Sequence, residues 1–311
     1  MTAGVTAPLL AASGLVPVAA AVAGGAAAVT AVSWATARTP AKAASLSGSA
    51  LILSTSVNGG TSSAEAQAAQ ALGLSVTVAT PSTWDAMTTS QFRAYTVIII
   101  GDPSTSASCA STVPSDALST AGTWGAAVNG NVAVLGTAPA LASATSVISD
   151  SIDYAASGGS GKTGLYVSLN CEYSTAAAGA AVPLLASVDG GGFTVTGQGA
   201  ACPAAAGTVN TWQAVALPQF GDLTSGKLGP WPSPACSVEE TFNSWPSGLD
   251  GIAYDTGASP KTFTASDGAT GQAYILAGAP VTARPRRWRL RRAAWSRPAP
   301  RPAGRTRPRP G

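Results

Sequence analysis

Apolar and polar positions fall into short alternating blocks along the first half of the chain. Ala50–Val57 is an apolar run that ends at Asn58-Gly59-Gly60, and Ser63–Leu72 follows with helix-forming composition until Gly73. The spacing predicts a strand, a turn and a helix. The same alternation predicts strands over Ser75–Ala79, Tyr95–Ile100, Asn131–Leu135 and Leu165–Leu169, with helices over Thr83–Arg93, Ser115–Val128 and Ser146–Ala156. Tyr95–Ile100 is apolar almost throughout, as a strand covered on both faces of a parallel sheet should be. Beyond Gly190 the pattern is less regular. Phe193–Thr196, Gly251–Tyr254 and Gln272–Leu276 read as strands, and Val238–Trp245 as a short helix opened by Ser237. Strand and helix in turn imply an α/β fold with a doubly wound, mostly parallel sheet, one domain over residues 45–283. No internal repeat suggests a solenoid or propeller.

The segment before that domain changes the picture of where the protein works. Residues 1–44 hold a long apolar stretch from Gly14 to Ala35, followed by the small-residue motifs Ala35-Thr-Ala37 and Ala41-Lys-Ala43. This is the pattern of a signal peptide and its cleavage zone. No Lys or Arg precedes Arg38, so either the start lies upstream or the segment is a weak membrane anchor. A buried Ala-rich core helix is disfavoured by Pro17 and Gly24-Gly25. Export to a secreted or cell-surface location makes Cys109, Cys171, Cys202 and Cys236 candidates for two disulfides rather than four buried thiols. Three connectivities are open. Cys171 with Cys202 closes the shorter loop and leaves Cys109 with Cys236.

Charge separates two unlike parts. Residues 284–311 carry eleven arginines and no acid, whereas everything before them has six basic against fourteen acidic residues, a net charge of −8. An acidic body argues against nucleic acid binding through the folded domain. The tail has three readings: a disordered cationic arm for anionic polymers, a processed extension, or GC-rich DNA translated out of frame, which yields Arg, Pro, Ala and Gly in abundance. The abrupt change favours the last, and translating the gene in all frames decides it.

Histidine is absent, and this restricts the chemistry most. Ser-His-Asp and Cys-His-Glu arrangements cannot be assembled, and no imidazole is present to ligate zinc. An all-Cys metal site would need four cysteines to converge without any CxxC pair. Neither a metal nor a cofactor is expected.

Candidate positions follow from topology. Ligands of open parallel sheets sit outside the carboxyl ends of the strands, which places Asn58, Gly59, Gly60, Asp102, Thr137 and Glu172 near one edge. Asp102 and Glu172 could form a carboxylate pair there, although capping and turn roles explain both. Ala156-Ser-Gly-Gly-Ser-Gly-Lys162-Thr163 resembles a relaxed phosphate-binding loop, but a predicted helix precedes it and a strand follows, the reverse of what a phosphate cradle needs. A helix end and turn built on Gly158, Gly159 and Gly161 accounts for the same residues. Trp212, Trp231 and Trp245 lie in a Pro/Gly-interrupted region, where packing over irregular structure is favoured above stacking on sugar rings.

Read together, Ala50–Val57, Asn58-Gly59-Gly60, Val78-Ala-Thr-Pro-Ser-Thr-Trp84, Met87-Thr-Thr and Val97-Ile-Ile-Ile-Gly-Asp-Pro103 resemble a flavodoxin-like or class I glutamine amidotransferase-like domain of large secreted actinobacterial proteins. Gly130–Thr137, Gly161–Tyr166 and Cys236–Phe242 fit the same resemblance, which covers about residues 46 to 280. It implies the fold. The amidotransferase chemistry it would also imply needs a Cys nucleophile after a central strand with His and Glu partners, and here that strand runs into Gly136-Thr137-Ala138-Pro139. The expectation is a non-catalytic extracellular module that binds cell-wall polymer or another secreted protein. The alternative is a degenerate amidotransferase-like or carboxylate-based hydrolase.

Overall fold

The computed structural model describes residues 46–280, apart from 106, 200–206, 211–216, 232–234, 259–260, 262, 265–267 and 269. All the described residues belong to one compact unit, within Lys42–Gly311. The export segment and the arginine-rich tail lie outside the described residues.

Five parallel strands organise the unit: β1 (Ser49–Leu53), β2 (Ser75–Ala79), β3 (Val97–Ile100), β4 (Val132–Leu135) and β5 (Gly164–Ser168). They lie side by side in the order β2-β1-β3-β5-β4. All four residues of β3 are buried, and so are those of β4 and β5, which is why their sequences are apolar at consecutive positions. The side chains divide by alternation. Ala50, Ile52, Val97 and Ile99 enter one core with α1 (Ala64–Ala71) and α6 (Thr145–Ala156), while Leu51, Leu53, Ile98 and Ile100 enter another. The second core contains Trp84 of α2 (Pro81–Asp85), Phe92 of α3 (Thr89–Phe92), Ala117 of α4 (Ser115–Ser119) and Trp124 of α5 (Ala121–Gly125). Helices thus cover the mostly parallel sheet on both faces. The fold is mixed α/β.

Later strands complete the architecture. β12 (Thr270–Gly278) pairs antiparallel with β4, β10 (Leu249–Asp255) with β12, and β8 (Thr208–Val209) with β10, so the late strands extend the same sheet. A short β11 (Phe263–Thr264) pairs with β12. A second, three-stranded sheet is formed by β6 (Ala180–Ala181), β7 (Thr194–Gly197) and β9 (Glu240–Ser244).

Three expectations need correction. Thr83–Arg93 is two helices, because Thr88 takes an extended backbone and opens α3 with a capping box, its Oγ1 accepting from the Gln91 N–H and Gln91 Oε1 accepting from the Thr88 N–H. Ser115–Val128 likewise breaks at Thr120, whose hydroxyl donates to the Asp116 carbonyl at 2.6 Å. The segment Val238–Trp245 holds strand β9 instead of a helix. Ser237 does not cap it: its Oγ accepts the Trp231 N–H at 3.0 Å, and β7 offers Thr241 and Phe242 a pairing partner that the local composition does not reveal.

Candidate functional site

The carboxyl ends of β1 and β3 lie next to each other, and from β1 the chain turns to β2 on one side while β3 lies on the other. Such a switch point leaves a crevice that no crossover covers. A cavity of about 170 Å³ opens here, with Asn58, Glu65, Asp102, Ser104 and Ser143 among its polar lining and Ala64, Ala140 and Leu141 as its apolar wall.

Glu65 reaches this cavity because of how α1 begins. Ser63 caps the helix, its Oγ accepting the Ala66 N–H at 3.1 Å, and this sets Glu65 in the first turn, facing the sheet edge. Its Oε1 accepts the Asp102 N–H at 2.7 Å. Oε2 is buried with no hydrogen-bond partner. Burial first, and the charge of Asp102 in addition, push the carboxyl up from 4.5 to about 7, against the opposing pull of the Asp102 N–H. Gly101 makes the approach possible, since a Cβ there would stand 2.6 Å from Glu65 Oε1.

Asp102 is differently used. Oδ1 accepts the Ser104 N–H at 2.9 Å and Oδ2 the Leu141 N–H at 3.0 Å, so this carboxylate ties the β3 exit to the loop after β4. Asn58 lies on the rim and donates to the Ser104 carbonyl at 3.3 Å. Gly59 and Gly60, both at positive φ, form the turn into α1. Neither these glycines nor the other two predicted positions line the cavity. Thr137 is buried with its hydroxyl donating to the Cys236 carbonyl at 3.2 Å, and Glu172 accepts the Val113 N–H at 3.0 Å. Asp102 finds its carboxylate neighbour in Glu65. Nothing in an Ala-rich helical stretch marked that residue; the available signal was its place in the first turn after the β1 loop.

Further carboxyls crowd the same edge. Glu239 sits beside the disulfide, with an oxygen within 4.8 Å of both sulfurs, and burial raises it to about 7 while the Cys236 N–H opposes and Asp102 adds to the rise. Glu240 is fully buried, both its oxygens lack a partner, and burial together with Glu239 and Glu172 holds its carboxyl well above the usual range. Cys109 and Cys171 form a disulfide, and Cys236 is disulfide-bonded as well; Cys202 lies outside the described residues. The shorter loop is therefore not the one closed. β3 and β5 are neighbours in the sheet, so the loops that follow them meet, at a Cα separation of 5.9 Å, across 62 residues of sequence. Sulfurs committed to each other offer no thiolate to an ion, and that group is not a metal centre.

Lys162 stands in a turn between α6 and β5 with Gly159 and Gly161 at positive φ, and no helix follows it. Trp231 and Trp245 are half-buried against the two cores, donating to the Lys227 and Leu249 carbonyls; Trp212 lies outside the described residues. No described helix is long and apolar enough to cross a membrane. No family model, curated protein or solved structure matches the chain.

Proposed function

We propose that the chain is an exported, non-catalytic binding module whose ligand site is the cavity between the carboxyl ends of β1 and β3. The observation that carries this reading is Glu65, which lines a small polar cavity and whose Oε2 is buried without a hydrogen-bond partner. A buried polar atom without a protein partner asks for a physical explanation, and beside a cavity a bound group supplies one. Asp102, by contrast, is engaged through both oxygens by the protein itself. The disulfide supports an oxidising compartment and with it a secreted or cell-surface setting. The β2-β1-β3 order and the two helical faces support a doubly wound, flavodoxin-like fold, although β5 lies inside β4 where a sequential order would place it outside.

A second reading, a degenerate amidotransferase-like or carboxylate-based hydrolase, draws support from the elevated Glu65 carboxyl, which is placed to exchange a proton near neutral pH. The two readings separate in one experiment. A panel of cell-wall fragments, sugars and small amides is added to the protein while backbone amide signals and ammonia or reducing-end release are followed together. Shifts at Asp102, Ser104 and Leu141 without turnover are expected. Turnover lost in Glu65→Gln would favour the hydrolase, and shifts confined to other regions would sink both.

A further inference from the structure

The geometry points to a primary ammonium group on a short alkyl stem as the ligand of the β1/β3 cavity, its charge set against Glu65, which lines it. This rests on the binding reading above and names its chemistry. The switch-point crevice and helix N-terminus that would ordinarily attract an anion are here occupied by carboxylates. Glu65 and Asp102 line the cavity, Asp102 in turn adds to the rise of Glu239, and among the described residues no Lys or Arg lines the cavity or acts on Glu65, Glu239 or Glu240. Phosphates and carboxylates are repelled by such a wall. A divalent metal is poorly served, because Asp102 already gives both oxygens to backbone N–H groups and, of the two carboxylates that line the cavity, only Glu65 keeps an oxygen without a partner.

Size and wall chemistry fit the same ligand. About 170 Å³ admits a group of a few heavy atoms, smaller than a nucleotide or a disaccharide. Ala64, Ala140 and Leu141 supply an apolar wall for methylenes, while Asn58 and Ser143 stand at the exposed rim. The stem could belong to a free amine or to a lysine side chain of a partner chain; the ammonium chemistry is shared.

Binding is coupled to protonation of Glu65. The titratable groups facing it are Asp102 from the β3 exit and Tyr166 on β5, while Asp150 and Asp153 of α6 interact with each other and β2 carries no ionisable side chain. A cation selects the ionised carboxylate, so apparent affinity should rise about tenfold between pH 6 and pH 8, following the ionised fraction of a group near 7.

The test uses the intact secreted protein, titrated at both pH values with ethylammonium chloride, Nα-acetyl-lysine methylamide, glycerol and inorganic phosphate, read at the Asp102, Ser104 and Leu141 amides. Both ammonium probes are expected to shift these signals, about tenfold more tightly at pH 8, and Glu65→Gln should abolish the pH dependence and weaken binding at pH 8. Tighter binding of the capped lysine than of ethylammonium assigns the ligand to a partner chain, and the reverse to a free amine. Binding of glycerol or phosphate in place of the ammonium probes would overturn the ammonium assignment and leave the binding reading standing. Silence of the three amides to all four probes, with the native spectrum intact, overturns the ammonium assignment, and with a silent panel of sugars and amides the binding reading too.

Discussion

Two pairs of acids in this molecule share one feature and differ in another. At the β1/β3 edge Glu65 is raised to about 7 beside Asp102; on α6, Asp150 is raised to about 8 by burial and by the charge of Asp222. The second pair is balanced from within, since Lys227 Nζ stands 2.7 Å from Asp222 Oδ2. The first has no cation among the described residues and opens on a cavity. A raised carboxyl is thus not by itself a sign of a site. What separates the two is whether the protein supplies the compensating charge.

The largest expected effect comes from the clamp beside the first pair. The Cys109–Cys171 disulfide fastens the loop after β3, which carries Asp102 and Ser104, to the loop after β5. Replacing both cysteines by serine should cost about 4 kcal/mol in chemical denaturation, from the chain entropy of the 62-residue separation. Carboxyl titrations followed by NMR should show Glu65 moving and Asp150 unchanged. If both move together, the two regions are not independent.

Next in size is the acid dependence of stability. The Glu65 carboxyl is raised in the folded state, so its stabilising contribution is whole below pH 4.5 and is lost as pH climbs to about 7. At about 1.4 kcal/mol per pH unit the loss is about 3 kcal/mol. Glu65→Gln, which resembles the protonated form, should match the parent at pH 4.5 and exceed its stability by about that amount at pH 8. Equal slopes in both proteins would remove Glu65 from the titrating groups. Gly101→Ala sharpens the same point sterically. Its Cβ would stand 2.6 Å from Glu65 Oε1 and 2.7 Å from a Val57 methyl, and overpacking of this kind costs about 2 kcal/mol. Glu65→Gln in the Gly101→Ala background should not restore it, because the oxygen remains.

How much of this was legible in the sequence depends on the range of the interaction. β1, β3, β4 and β5 could be read because burial on both faces leaves apolar runs, four residues in succession in β3, while β2 showed itself by the alternation of a half-exposed edge strand. Asn58 and Asp102 could be placed because the edge rule needs only strand ends. Thr88 and Thr120 hid the helix breaks, since their side-chain to backbone bonds suit a cap as well as a helix surface. β9 was misread because its partner β7 is about fifty residues away, and the disulfide pairing stayed open because sequence distance says nothing of strand order. Glu65 escaped for the same reason: in Ala-Glu-Ala-Gln a carboxylate looks like an exposed helix residue, and only the packing of α1 on the sheet turns it inward.

The smallest effect tests the internally balanced pair. Lys227 and Asp222 are exposed to 32% and 62%, so their bridge is screened and Lys227→Ala should cost under about 1 kcal/mol. Its consequence lies in titration. Lys227 pulls the Asp150 carboxyl down against burial and Asp222, so removing it should raise Asp150 above about 8. Asp222, lowered first by its hydrogen bond from Lys227, should rise as well. Added ethylammonium chloride should leave both unaltered, because the exposed Asp222 gives a cation no enclosed seat. If the amine instead returned Asp150 to its former value, an exposed balanced pair would bind ammonium as the cavity is held to do, and enclosure would no longer distinguish the two regions.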